Sequence, residues 1–355
     1  MNRFDRFLYH LTFNAQDRIE LYDEFRQYLL DKITADVIFD KLIDNYTRRG
    51  KKPKHPMAQI LRECAGNMSG GLGLADSLRD WLPDQEVSII DSCNLAGKAA
   101  DGFMSAADIA SGTGRMGKSL KVTFMATAWV IMLLLGVLSV FCIMLVPAVI
   151  QVVPLSQWNG MQTGVYYLYL LLTDYGLPVL IVAAAVVWYI WRSLHRLTGR
   201  VRFFLDRFPP WSVYRRMQGA SFILNMNAML SAGIPMEQAV RSMNDATRSA
   251  WLKERLDALE KALSGGETNL GQALDVCGYD FPDERAIIKM QTLFETGNKE
   301  GSLKRFADLW LNRTVEDVER TGERIRLWSL VIGGVLISAL ILIMFTLIQQ
   351  SVIRN

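Results

Sequence analysis

The chain has 355 residues, half of them apolar, and a formal charge of +3 at neutral pH. That length suits two or three domains, and the apolar share is high for a soluble protein but ordinary for one partly in a bilayer. So small a net charge gives nucleic acid no electrostatic foothold, and the charged residues spread through 1–40 do not form a secretory signal.

Residues 17–33 are predicted as an amphipathic helix, with Leu21, Phe25, Leu29 and Ile33 recurring every four residues. Thr34 is placed to cap a second helix carrying Ile38, Leu42 and Tyr46 on one face. Residues 50–56, Gly-Lys-Lys-Pro-Lys-His-Pro, break the helical pattern; this basic stretch reads as a solvated loop, with an acidic partner or anionic lipid as the minority reading. Helix resumes at 57–68, turns at Gly70-Gly71-Leu72-Gly73, continues briefly to Leu82-Pro83, and runs on to about Leu95. Residues 97–102 then lead into a helix that feeds the first long apolar run.

Three runs are candidates for membrane spans, centred on 127–153, 175–191 and 327–348. The first and third comfortably exceed the ~20 residues a span needs, and the second is the shortest. Arg115, Lys118 and Lys121 precede the first, Arg192, Arg196, Arg200 and Arg202 follow the second, and Arg320, Arg324 and Arg326 precede the third. Residues 150–174 hold no Lys or Arg, so the positive-inside rule puts both large polar segments in the cytoplasm. Trp129, Trp188, Trp191 and Trp328 fall near span ends, as interfacial aromatics do. Pro147 is expected to kink or end the first span, and Gly334 with Ser338 offers a small-residue pair for close helix approach.

The second polar segment repeats the first. A helix over 213–232 ends at Gly233, and Pro235 opens the next, giving a tight corner. Gly265-Gly266 through Leu274 parallels Gly70-Gly71 through Leu78, Phe281-Pro282 parallels Leu82-Pro83, and 297–309 parallels 97–109. Ala107-Asp108-Ile109 and Ala307-Asp308-Leu309 match within that stretch. An internal duplication accounts for all of these. Strand alternation and hairpin turns are missing from the pattern, so the expected fold is all-α: three transmembrane helices and two repeated cytoplasmic bundles. The expected layout is 1–121 cytoplasmic, 122–150 first span, 151–174 periplasmic loop, 175–194 second span, 195–326 cytoplasmic, 327–349 third span and 350–355 a periplasmic tail.

These motifs resemble the polytopic inner-membrane platform proteins of type IV pilus and type II secretion machines, the PilC-like or F-type family. Leu230-Ser231-Ala232-Gly233-Ile234-Pro235-Met236 is similar to the family's corner, Leu270, Ala273, Leu274, Phe281 and Pro282 to its next motif, and residues 297–303 to its glycine-rich turn. The turn's family glutamate is Asn298 here and Lys98 in the first copy, and Lys32-Ile33-Thr34-Ala35 replaces the first copy's corner. Such drift points to the pilus branch, with a type IVb system nearest. The resemblance implies a multi-pass protein of the bacterial inner membrane that is not an enzyme, and the charge bias with three spans puts its N-terminus in the cytoplasm and its C-terminus in the periplasm. The resemblance further implies a hexameric assembly ATPase, pilin or pseudopilin, other inner-membrane assembly proteins and further copies of itself as partners.

One motif opposes that reading. Gly112-Thr113-Gly114-Arg115-Met116-Gly117-Lys118-Ser119 matches the phosphate-cradling P-loop, whose Lys and hydroxyl meet phosphate and Mg²⁺. Its context is missing: helix is predicted before it and a membrane span after it, so Gly117, Lys118 and Ser119 are read as a chance match. No catalytic residue, metal ligand or cofactor is assigned. His10, His55 and His195 lie far apart, and Cys64, Cys93, Cys142 and Cys277 have no zinc or redox spacing. A transporter or channel subunit is the alternative class; it requires charged groups inside the spans, and none stands out. The Lys51–Lys54 loop and the Gly297–Gly301 turn are the candidate partner surfaces.

Overall fold

The computed structural model describes residues 3–295 and 299–354. Helices joined by turns and short irregular connections make up the described residues, with no strand among them. The first copy comprises α2 (Ala15–Leu30), α3 (Ala35–Tyr46), α4 (Pro56–Ser69), α5 (Leu74–Leu78), α6 (Asp84–Leu95) and α7 (Ala99–Val152), after a short α1 (Arg3–Thr12). The second comprises α11 (Trp211–Ser231), α12 (Met236–Ala246), α13 (Ala250–Ser264), α14 (Leu270–Val276), α15 (Glu284–Glu295) and α16 (Lys299–Arg354). Between them lie α8 (Gly160–Thr173), α9 (Gly176–Arg196) and α10 (Gly199–Leu205). Matched helices are nearly equal in length: α6 and α15 have 12 residues each, and α7 and α16 have 54 and 56.

The chain divides into two units. One contains residues 1–118 and 194–315, the other 119–193 and 316–355. The two copies do not stand as separate bundles; they share the first unit. The cause is a continuous apolar core that runs from Phe13, Tyr22, Phe25 and Phe103 through Phe222, Met229, Trp251, Phe281 and Trp310. The face of α6 that meets α11 and α12 carries Gln85, whose amide nitrogen lies 3.3 Å from Gln218 Oε1 and whose carbonyl accepts from Asn225.

In the second unit, Cys142, Val146, Val149 and Val153 of α7 and its end pack with Trp158, Val165, Leu340 and Met344. Residues 151–174, expected as a loop, contain the 14-residue helix α8. Asn159 starts it through a reciprocal capping box with Gln162, and its apolar residues Val165, Leu168 and Leu172 then have a face to bury. Helix α7 continues past Pro147 to Val152 and does not end there. Close approach of α7 and α16 occurs at Gly333, where an added Cβ would lie 2.8 Å from Leu134, whereas Gly334 has open space. The Gly334–Ser338 expectation therefore misses the contact by one residue, because rotation along the helix is set by packing and not by residue size alone. Helices α7, α9 and α16 each contain a segment long and apolar enough to cross a membrane, and Trp129, Trp188, Trp191 and Trp328 are all exposed on them.

Candidate functional site

The corner after α11 is built as its sequence requires. Gly233 sits at φ +81°, and the N–H groups of Gly233 and Ile234 donate to the carbonyls of Leu230 and Met229, both at 3.0 Å. This is the six-residue helix stop that favours a left-handed residue. The first copy has the same corner without the glycine. Lys32 adopts φ +59°, and Lys32 and Ile33 donate to Leu29 and Tyr28 at the same 3.0 Å. Thr34 then takes the extended geometry of Pro235, with ψ 151° against 145°. Sequence comparison loses this corner, whereas the backbone keeps it. The turns at Gly71 and Gly266 also repeat, at φ +98° and +104°.

The other family-like motifs are packing devices. Phe281 is buried between Trp251 and Phe222, at ring-centroid distances of 5.7 and 5.3 Å. Gly219 makes room for Pro282, and Gly271 makes room for the backbone of Gln291. Asn269 caps α14 through Gly271 N at 2.9 Å, while its amide reaches Gln291 O at 3.0 Å. Lys98 donates from Nζ to Ala232 O at 2.9 Å. An ammonium there favours the negative end of α11 and ties the first copy's turn to the second copy's corner.

A cleft of about 540 Å³ lies between the copies, within the one unit they form. Arg18 and Glu86 meet there through two contacts, 2.8 and 3.0 Å, and the Tyr22 hydroxyl also donates to Glu86. Burial raises the Glu86 carboxyl above the usual carboxylate range, against the opposing pull of Arg18 and Tyr22. Across the cleft Arg248 pairs with Asp84 at 3.2 Å and donates to Arg79 O at 2.9 Å. Tyr214 and Ser249 share a 3.2 Å hydroxyl contact, and the Ser249 hydroxyl also donates to His195 O. These charges are matched in pairs. The arrangement is suited to locking the copies together.

Next to it lies a second polar centre that sequence reading missed. Arg202, Asp206 and Arg255 are all buried. Arg202 Nε and Arg255 Nη2 lie 3.1 and 2.9 Å from the Asp206 carboxylate, and Trp251 Nε1 donates to it at 3.2 Å. Both guanidinium groups also face rings: Arg255 lies 3.9 Å from the Trp251 centroid, and Arg202 lies 5.4 Å from Trp251 and 5.6 Å from Tyr214. Burial lowers the Arg255 pKa to about 10 despite Asp206. In the sequence Arg202 reads as one more positive-inside charge, and the spacing of Arg202 and Asp206 on a short helix was the available signal.

The P-loop match forms no loop, because Gly112 to Ser119 lies inside the unbroken helix α7. Its glycines have packing roles. A Cβ on Gly112 would meet Leu224 and Leu311, and one on Gly114 would meet Ala15. Gly117 has open space around it, Lys118 is exposed, and Ser119 donates to Glu319 at 2.9 Å. Each histidine lies against an aromatic ring: His10 on Trp81, His55 on Tyr46, His195 on Tyr214. The cysteines are free thiols, three buried and Cys277 half-buried. No group of three or more His, Cys, Asp or Glu among the described residues is arranged to hold a metal ion. Lys51, Lys52 and Lys54 are exposed, following Arg48, Arg49 and Gly50 at positive φ. Gly297 and Asn298 lie outside the described residues, as do the side chains of 299–301.

Residues 222–347 match the family described as type II secretion system protein F. This stretch begins in α11 and runs into the last apolar segment of α16. The chain is also similar to toxin coregulated pilus biosynthesis protein E of Vibrio cholerae serotype O1, with 23% identity over 293 residues, 82% of this chain and 84% of that protein. The corner at Gly233 and the Phe281-Pro282 step both lie inside the stretch 222–347. Residues 222–347 are thus similar to type II secretion system protein F, and most of the chain is similar to a pilus biosynthesis protein.

Proposed function

We propose that this chain is the inner-membrane platform of a type IV pilus machine, a non-enzymatic part that couples a cytoplasmic hexameric ATPase to extraction of pilin from the membrane. The observation that carries the reading is the likeness, along most of the chain, to a pilus biosynthesis protein. The secretion-family domain supports the wider class. Arginine and lysine bias around the spans supports an orientation with the N-terminus and both copies in the cytoplasm and the C-terminus in the periplasm. Other inner-membrane assembly proteins and further copies of the chain complete the proposed machine.

The physical logic rests on two long helices. Helix α7 continues through 54 residues without interruption. Helix α16 is built alike. A push applied to the paired copies is carried along unbroken helix and not through a soft linker. The exposed Lys51–Lys54 loop is the feature offered to an acidic face of the ATPase. In-frame deletion, with ATPase and pilin genes intact, is expected to abolish surface fibres, and expression in trans to restore them. Normal piliation in the deletion strain refutes the proposal.

A further inference from the structure

Helix α10 and its C-cap are built inside out. Arg202 and Asp206 point inward and are buried in the cluster with Arg255 and Trp251. Val201, Phe204 and Phe208 point outward, at 66%, 58% and 50% exposure, with the two phenyl rings 5.5 Å apart. A helix bathed in water turns its charges out and its apolar side in. Here the ion pairs fix the rotation the other way, so the apolar face cannot roll into the core without breaking them.

Two further observations say what covers that face. Helix α9, which has the length and apolarity of a membrane span, ends at Arg196, and α10 starts at Gly199. Three residue steps reach at most ~11 Å, so α10 is covalently held near the end of the span. Residues 192–208 also hold five arginines and one acid, Asp206, which is buried. Arg192, Arg196, Arg200 and Arg207 are exposed. An apolar face flanked by outward arginines beside a span is the make-up of an element lying in an anionic bilayer surface.

We propose that Val201, Phe204 and Phe208 lie in the headgroup–acyl boundary of an anionic phospholipid bilayer, with the four exposed arginines on its phosphates. The buried Arg202–Asp206–Arg255 cluster acts as the latch that holds this face toward lipid. The inference depends on α9 crossing the membrane and holds whatever machine the chain serves.

The test uses the full chain in nanodiscs of phosphatidylethanolamine and phosphatidylglycerol, with Cys277→Ala to remove the half-buried thiol. Spin labels are attached at Phe204→Cys and, separately, Phe208→Cys, with Val276→Cys, exposed at 68% in the same unit, as the aqueous control. Collision with lipid-soluble oxygen and with a water-soluble nickel chelate is read for each. Loss of nickel access together with high oxygen access at 204 and 208, against nickel access at 276, is the expected result. Nickel access at 204 and 208 equal to that at 276 overturns the proposal. Exclusion of both reagents also overturns it, because protein and not lipid then covers the face.

Discussion

Removing the Asp206 carboxylate is the sharpest perturbation of the first unit. Asp206 faces two buried arginines, with contacts at 3.1 and 2.9 Å, and accepts from Trp251. Asp206→Ala leaves both guanidinium groups out of water without their shared counter-ion; breaking a buried pair in this way costs ~3–5 kcal/mol. Glu254 offers little relief: it approaches Arg255 only at 3.4 Å and is partly exposed. For a unit of this size each kcal/mol moves the melting midpoint by ~2–4 °C, so a drop of about 6–20 °C is expected. The triple variant Arg202→Met, Asp206→Leu, Arg255→Met removes the charges together, and such replacements are often near neutral. The assay is thermal unfolding of the detergent-solubilised full chain, followed by tryptophan fluorescence. A drop below ~2 °C for Asp206→Ala, less than one kcal/mol, refutes the view that the carboxylate holds this centre together.

Exchanging the two corners separates sequence from backbone. Gly233→Lys is expected to destabilise and Lys32→Gly to stabilise, each by ~1 kcal/mol in denaturant midpoints, because both positions are left-handed; equal signs contradict this. In the second unit Gly333→Leu collides with Leu134 and is expected to cost ~1–3 kcal/mol, whereas Gly334→Leu is tolerated, as read by melting in bilayer nanodiscs. Glu86 gives a pH signature. Its carboxyl is raised in the fold by burial, so the folded state holds the proton more tightly and that stabilisation is lost as pH rises through the folded pKa. The melting temperature of the wild type relative to Glu86→Gln should therefore fall as pH climbs above its ordinary value of 4.5; a rise contradicts the assignment.

Much of the helix order was legible because glycines and prolines punctuate it. Gly71, Gly97, Gly233 and Gly266 stop helices through backbone conformations that few other residues favour. The corner at Lys32 was not legible, since a lysine carries no such mark and the surrounding hydrogen bonds alone hold its positive φ. Helix α8 was hidden because a stretch between two apolar runs reads as a connector, although Asn159 and Gln162 were visible as a cap. The union of the copies and the Arg202–Asp206–Arg255 centre depend on contacts between residues far apart in the chain. Arg255 lies 49 positions from Asp206, a separation that no local pattern reports.

The central claim is that a doubled helical unit forms one body on the cytoplasmic side of the membrane. Lys52→Cys in the first copy and Lys261→Cys in the second, both exposed positions, are to be labelled with an impermeant maleimide in right-side-out and inverted vesicles. The account predicts that both label only in inverted vesicles. Labelling of the two sites from opposite faces contradicts it.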